Sequence, residues 1–68
     1  MTLNEPFYVR LQRAMADRGI TQAQLARRLH VGRTCVNHWY WGINQPSIEK
    51  LREIKRALRC EWDVLLGR

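Results

Sequence analysis

One run of residues, RTCVNHWYW from Arg33 to Trp41, carries most of the chemistry in this 68-residue chain. Wound as a helix, it places Arg33, Thr34, Asn37, His38 and Trp41 on one side and Val36, Trp39 and Tyr40 on the other. The second side is core. The first, at i, i+1, i+4, i+5 and i+8, offers a guanidinium, a hydroxyl, an amide, an imidazole and an indole. Such groups bond base edges or grip a sugar-phosphate backbone.

Other chemistries find no comparable set. His30, Cys35, His38 and Cys60 are potential metal ligands, with Cys35 and His38 at i and i+3, yet their spacing matches no C-x2-C or H-x3-H site, so no metal is expected. No carboxylate pair, nucleophile with a base, or phosphate-cradling glycine loop occurs, so neither a catalytic residue nor a cofactor is expected. No small-molecule ligand is evident. A binding module is what remains.

Helices must position that row, because Pro6, Gly19, Gly32, Gly42, Pro46 and Gly67 divide the chain into short pieces and nothing alternates like a strand. The first helix runs from Phe7 to Arg18, with Tyr8, Leu11, Ala14 and Met15 on one face and Gly19 as its stop. Thr21 followed by Gln24 is a capping box that opens the second, and Ile20 can staple onto Leu25. Leu25, Ala26 and Leu29 face inward there, while Gln22, Arg27 and Arg28 stay mainly outside. His30, Val31 and Gly32 turn the corner into the third helix, Arg33 to Trp41. A fourth starts at Ser47, a cap just after Pro46. It carries Ile48, Leu51, Ile54 and Leu58 inward and Lys50, Arg52, Lys55, Arg56 and Arg59 outward. Glu49 and Glu53 repel at i,i+4, but each precedes an arginine by three, Arg52 and Arg56, which makes a mixed, solvated face. Glu61 to Leu66 forms a last turn or two with Trp62, Leu65 and Leu66, ended by Gly67. The fold class expected is all-α, a compact bundle of five short helices.

Within it, Thr21 to Gly42 packs two short helices steeply across a three-residue corner and leaves one face of the second free, the layout of a helix-turn-helix DNA reader. Charge agrees. The net charge is +6, and no Asp or Glu lies between Asp17 and Glu49, whereas Arg18, Arg27, Arg28 and Arg33 do. A polyanion can approach this part without meeting a carboxylate.

The length allows a single domain, residues 1–68, with a small core. Two cysteines are too few for a disulfide scaffold, MTLNEPFYVR lacks the apolar run of a signal peptide, and no apolar segment approaches the roughly 20 residues that span a bilayer. The expected location is cytoplasmic and nucleoid-associated, with no membrane contact.

In order and spacing these residues resemble the phage repressor and Cro type of helix-turn-helix domain, an XRE-like and lambda-repressor-like family, from about Tyr8 to Gly67. The landmarks are G-I-T-Q at Gly19 to Gln22, L-A at Leu25 and Ala26, and a branched core residue at Val36. W-x-x-G at Trp39 to Gly42, Pro46 and W-D-V-L-L-G at Trp62 to Gly67 complete the set.

The resemblance implies that the second and third helices form the helix-turn-helix and that Arg33, Thr34 and His38 read bases, Arg33 facing guanine and Thr34 a thymine methyl. Asn37 would reach a base edge or a phosphate. Thr21 and Gln22 would hold the backbone at a helix N-terminus, Gln22 also bracing Arg33. The loop Ile43, Asn44 and Gln45 would clasp the strand beyond the groove through its backbone amides.

Three positions depart from the family. Met15 and Tyr40 stand where many relatives place an Arg and an acid that pair, so both charges are replaced together by apolar bulk, and the two side chains are expected to touch. His30 stands where the family places a glycine, at a left-handed corner, so strain is expected there. Trp41 replaces a short polar or basic residue near the phosphates. It lies flat on the sugar-phosphate edge, joins a self-association surface, or folds over the start of the fourth helix.

Two function classes follow. The preferred one is a sequence-specific regulator of transcription, a repressor that binds a pseudo-palindromic double-stranded DNA operator as a homodimer, formed free or only on DNA, with Trp62 and Leu66 as dimer contacts and Leu65 closing the core. The alternative is a small helical protein-interaction module, antitoxin-like or an adaptor, using Trp41, Trp62 and the apolar tail, with an incidental basic face.

Overall fold

The computed structural model describes residues 6–66, the side chain of Leu66 excepted. The dimer contact expected of Leu66 and the stop at Gly67 lie outside the described residues. Five helices follow in order: α1 (Phe7–Arg18), α2 (Gln22–Leu29), α3 (Arg33–Tyr40), α4 (Ile48–Leu58) and α5 (Trp62–Leu66).

Each boundary has a local cause. Gly19 ends α1 in the left-handed region at φ 64°, where its N–H and that of Ile20 take the carbonyls of Ala16 and Met15. The capping box of α2 is fully formed: Gln24 N donates to Thr21 Oγ1 at 3.1 Å, and Thr21 N donates to Gln24 Oε1 at 2.9 Å. Ser47 Oγ accepts from Lys50 N at 3.2 Å to start α4. Both α2 and α4 stop on a left-handed residue that is not glycine, His30 at φ 58° and Arg59 at φ 53°.

These ends fix which faces meet. α2 packs against α3 and α4, while α1 crosses the other side and contacts α3, α4 and α5. Leu11, Ala14 and Met15 from α1 meet Leu25, Ala26 and Leu29 from α2 in one core, joined by Val36, Trp39, Ile54, Leu58, Cys60 and Leu65. Ile20 and Tyr40 pack half-buried against it.

Three expectations need correction. Ile48 is 69% exposed rather than inward. At about 100° per residue it lies about 120° around the helix from Ile54, on the edge of the stripe centred between Leu51 and Leu58. Trp41 is not helical, with φ −102° and ψ 4°, so α3 ends at Tyr40. Glu53 pairs with Lys50, Nζ to Oε1 at 3.3 Å, instead of with Arg56.

Candidate nucleic-acid interface

The N-terminus of α3 is open by construction. Gly32 precedes it and offers no side-chain cap, so the first amides of Arg33 and Thr34 stay available at the positive end of the helix. Both residues are exposed. The arrangement suits a negatively charged or acceptor-rich surface.

One turn on, Asn37 is half-buried and its Nδ2 donates to Gln22 Oε1 at 3.0 Å. Gln22 therefore braces Asn37 and not Arg33, because Asn37 is the α3 side chain that comes down beside the start of α2. The bond consumes one amide hydrogen and leaves Asn37 a second hydrogen and Oδ1, the pair that matches an adenine edge.

His38 is held from the other direction. Asn44 Nδ2 lies 3.3 Å from His38 Nδ1, which fixes the ring and leaves Nε2 as the nitrogen not engaged by Asn44. The main chain repeats the link: the amides of Ile43 and Asn44 donate to the His38 carbonyl at 2.9 and 3.3 Å. This corrects the expectation that those amides clasp DNA. They close the C-terminus of α3 instead, which leaves the Gln45 amide and the Asn44 and Gln45 side chains for a backbone.

Gly42 makes that tight return possible. Its φ is 77°, and a Cβ there would lie 2.6 Å from Tyr8 Cδ1. Beside it, Trp41 is 58% exposed and stands edge-on to the Tyr40 ring, centroids 5.1 Å apart and planes at 81°. Trp41 thus leans on its neighbour and leaves most of its indole open.

At the start of α2, Thr21 Oγ1 already accepts the Gln24 amide, so its hydroxyl hydrogen and the Gln22 amide are the groups left for an anion. The arginines of the acid-free stretch divide. Arg18 Nη2 donates to the Arg59 carbonyl and Arg28 Nη1 to the Ala57 carbonyl, both at 3.0 Å, so these two stabilise the negative end of α4. All four are exposed, and Arg27 and Arg33 are the two that do not cap α4.

One positioning residue was missed from sequence. Gln12 on α1 donates Nε2 to the Tyr40 carbonyl at 2.7 Å, tying the last residue of α3 to the opposite layer. An amide at the border of the α1 stripe was its only signal.

Away from this face, Leu65 is fully buried and closes the core, as expected of it. Trp62 is 36% exposed, with Lys55 Nζ 5.6 Å from its ring centroid. Among the described residues no three metal-ligating side chains cluster, and no helix is long and apolar enough to cross a membrane.

An α2–corner–α3 unit with an open helix start and a row of braced polar side chains defines a DNA-binding helix-turn-helix protein. The chain belongs to the helix-turn-helix family, whose model matches residues 11–65. It is similar to the HTH-type transcriptional activator BcrR of Enterococcus faecalis, 35% identical over 61 residues, which are 90% of this chain and 30% of that protein. The chain thus spans less than a third of that relative's length. No solved structure matches it significantly.

Proposed function

We propose that this chain is a regulator of transcription that inserts α3 into the major groove of a pseudo-palindromic operator. The observation that carries the reading is the bracing of two polar side chains on one exposed face, Asn37 by Gln22 and His38 by Asn44. Reading side chains held before contact lose less freedom on binding.

In this reading Arg33 bonds O6 and N7 of a guanine, Thr34 meets a thymine methyl, Asn37 takes an adenine edge, and His38 donates from Nε2 to a base acceptor. Thr21 and Gln22 hold one phosphate stretch at the start of α2. Trp41, Asn44 and Gln45 hold the strand beyond the groove. Two copies bind half-sites with their recognition helices about 34 Å apart, and Trp62 contributes to the contact between them. Residues 1–68 act as one domain on the nucleoid. Occupancy of a promoter-overlapping operator is sufficient for repression.

Selection of bound duplexes from a random pool tests the reading, repeated with Arg33→Ala. Relaxed preference at one base position is expected. Uniform weakening across sequences would make Arg33 a phosphate contact, and no enrichment at all would overturn sequence-specific binding. A salt series adds an independent measure: six to ten phosphate contacts give log K a slope of roughly −5 to −9 against log salt, whereas an apolar protein contact barely responds.

A further inference from the structure

We infer that the face where α1, α2 and α4 end is a docking surface for an acidic, partly apolar segment of a partner protein. It goes beyond DNA reading and uses different residues. Two adjoining clefts, about 390 and 440 Å³ in volume, share Arg28 and Ala57 as a common wall. The first lies between the end of α2 and α4, bordered by His30, Glu53 and Arg56. The second lies between the end of α1 and that of α4, bordered by Arg18 and Arg59.

Charge is concentrated here without compensation. Four arginines line the two clefts against one carboxylate, Glu53, and that carboxylate is engaged by Lys50 at 3.3 Å. Arg18 and Arg28 are each fixed by one bond to an α4 carbonyl, so each guanidinium is held in place with its other N–H groups unspent. A carboxylate ligand can be met by such groups in bidentate fashion at little ordering cost.

The chemistry favours a peptide over a nucleic acid. The carbonyls of the three helix C-termini gathered here disfavour any anion laid directly on them, so a ligand whose carboxylates are spaced apart suits the face better than a continuous run of phosphates. Separated carboxylates can reach the guanidiniums between those carbonyls. Between them Ile20, Leu29 and Leu58 supply apolar floor for the intervening side chains. No lining residue belongs to α3, to the α3–α4 loop, or to the Thr21–Gln22 corner, so DNA and partner can be held together.

The test titrates the isotope-labelled full chain with a synthetic peptide alternating acidic pairs with Leu and Phe, and with its Asn/Gln counterpart, while following amide shifts by NMR. The acidic peptide is expected to move Arg28, His30, Ala57 and Arg59 and to leave Thr34 and His38 in place. The pair Arg56→Gln and Arg59→Gly should weaken it about tenfold or more, because two of the four cations that meet the carboxylates are removed. Glycine suits the left-handed position of Arg59, so this variant keeps or raises Tm, and lost binding is not lost fold. Equal binding of the neutral peptide, shifts confined to α3, or a DNA duplex moving the same residues would each overturn the assignment.

Discussion

Gln12 and Tyr40 are joined across 28 residues of sequence by a 2.7 Å hydrogen bond from Gln12 Nε2 to the Tyr40 carbonyl. The acceptor is the last residue of α3. That bond, with the Ile43 and Asn44 amides on His38, settles where α3 stops and how it lies against α1.

Replacing Gln12 by Leu keeps the bulk and removes the donor. A half-buried carbonyl left unpaired costs about 1–3 kcal/mol, which a denaturant midpoint reads directly. Because α3 then loses a tether and no phosphate contact changes, specific affinity should fall relative to non-specific affinity while the salt slope stays the same. An unchanged ratio would mean that the bond stabilises the fold without positioning the helix.

Gly42→Ala meets two separate penalties. The left-handed backbone at φ 77° costs about 1–2 kcal/mol for any residue with a Cβ. The new methyl also falls 2.6 Å from Tyr8 Cδ1. Adding Tyr8→Ala to Gly42→Ala should relieve the clash and not the backbone strain, so a coupling between the two sites appears in a double-mutant cycle. Strict additivity would show that the loop had moved away from Tyr8.

His30→Gly is expected to raise Tm. Relief of a left-handed side-chain residue gains about 1–2 kcal/mol, and the added freedom of glycine in the unfolded chain returns about 0.4–1. The balance is a modest stabilisation, and the exposed imidazole has no hydrogen-bond partner among the described residues. A marked loss of Tm would assign it a contact that the geometry does not contain.

Cys60 links stability to alkaline pH. Its burial pushes the thiol above its ordinary value of 9.0, with Arg18 and Lys55 opposing less strongly. The folded chain therefore binds this proton more tightly than the unfolded one. The associated stability is complete below pH 9 and is lost as pH rises through the folded value. Cys60→Ala should flatten that alkaline limb of a Tm against pH curve, and a limb of unchanged steepness would place its origin elsewhere.

The helices were legible because their ends are written in single residues: Gly19, the Thr21–Gln24 box and Ser47 each fix a boundary through one or two bonds. Left-handed His30 was legible for the same reason, as a corner with no glycine. Pairings between helices were harder. The Gln22 brace was expected on Arg33 and falls on Asn37, because periodicity names a face but not which neighbour crosses above it. Ile48 was placed inward by spacing alone, and the first turn of α4 leaves it at the margin. Tyr40 packs half-buried against the core that holds Met15. Gln12 and the α4-capping roles of Arg18 and Arg28 depend on carbonyls, which no side-chain pattern reveals.

The three indoles give the molecule a built-in optical readout. Trp39 is 4% exposed and sits in a fixed apolar setting, Trp62 is intermediate at 36%, and Trp41 is open at 58% on the edge facing the proposed strand. Indole emission moves to longer wavelength in water, so the red edge of the spectrum belongs mainly to Trp41. Docking of a duplex on that edge would dim or blue-shift the red component while the Trp39 component stays constant. Unlabelled chain can then report its own occupancy, and a Trp41→Phe variant supplies the blank.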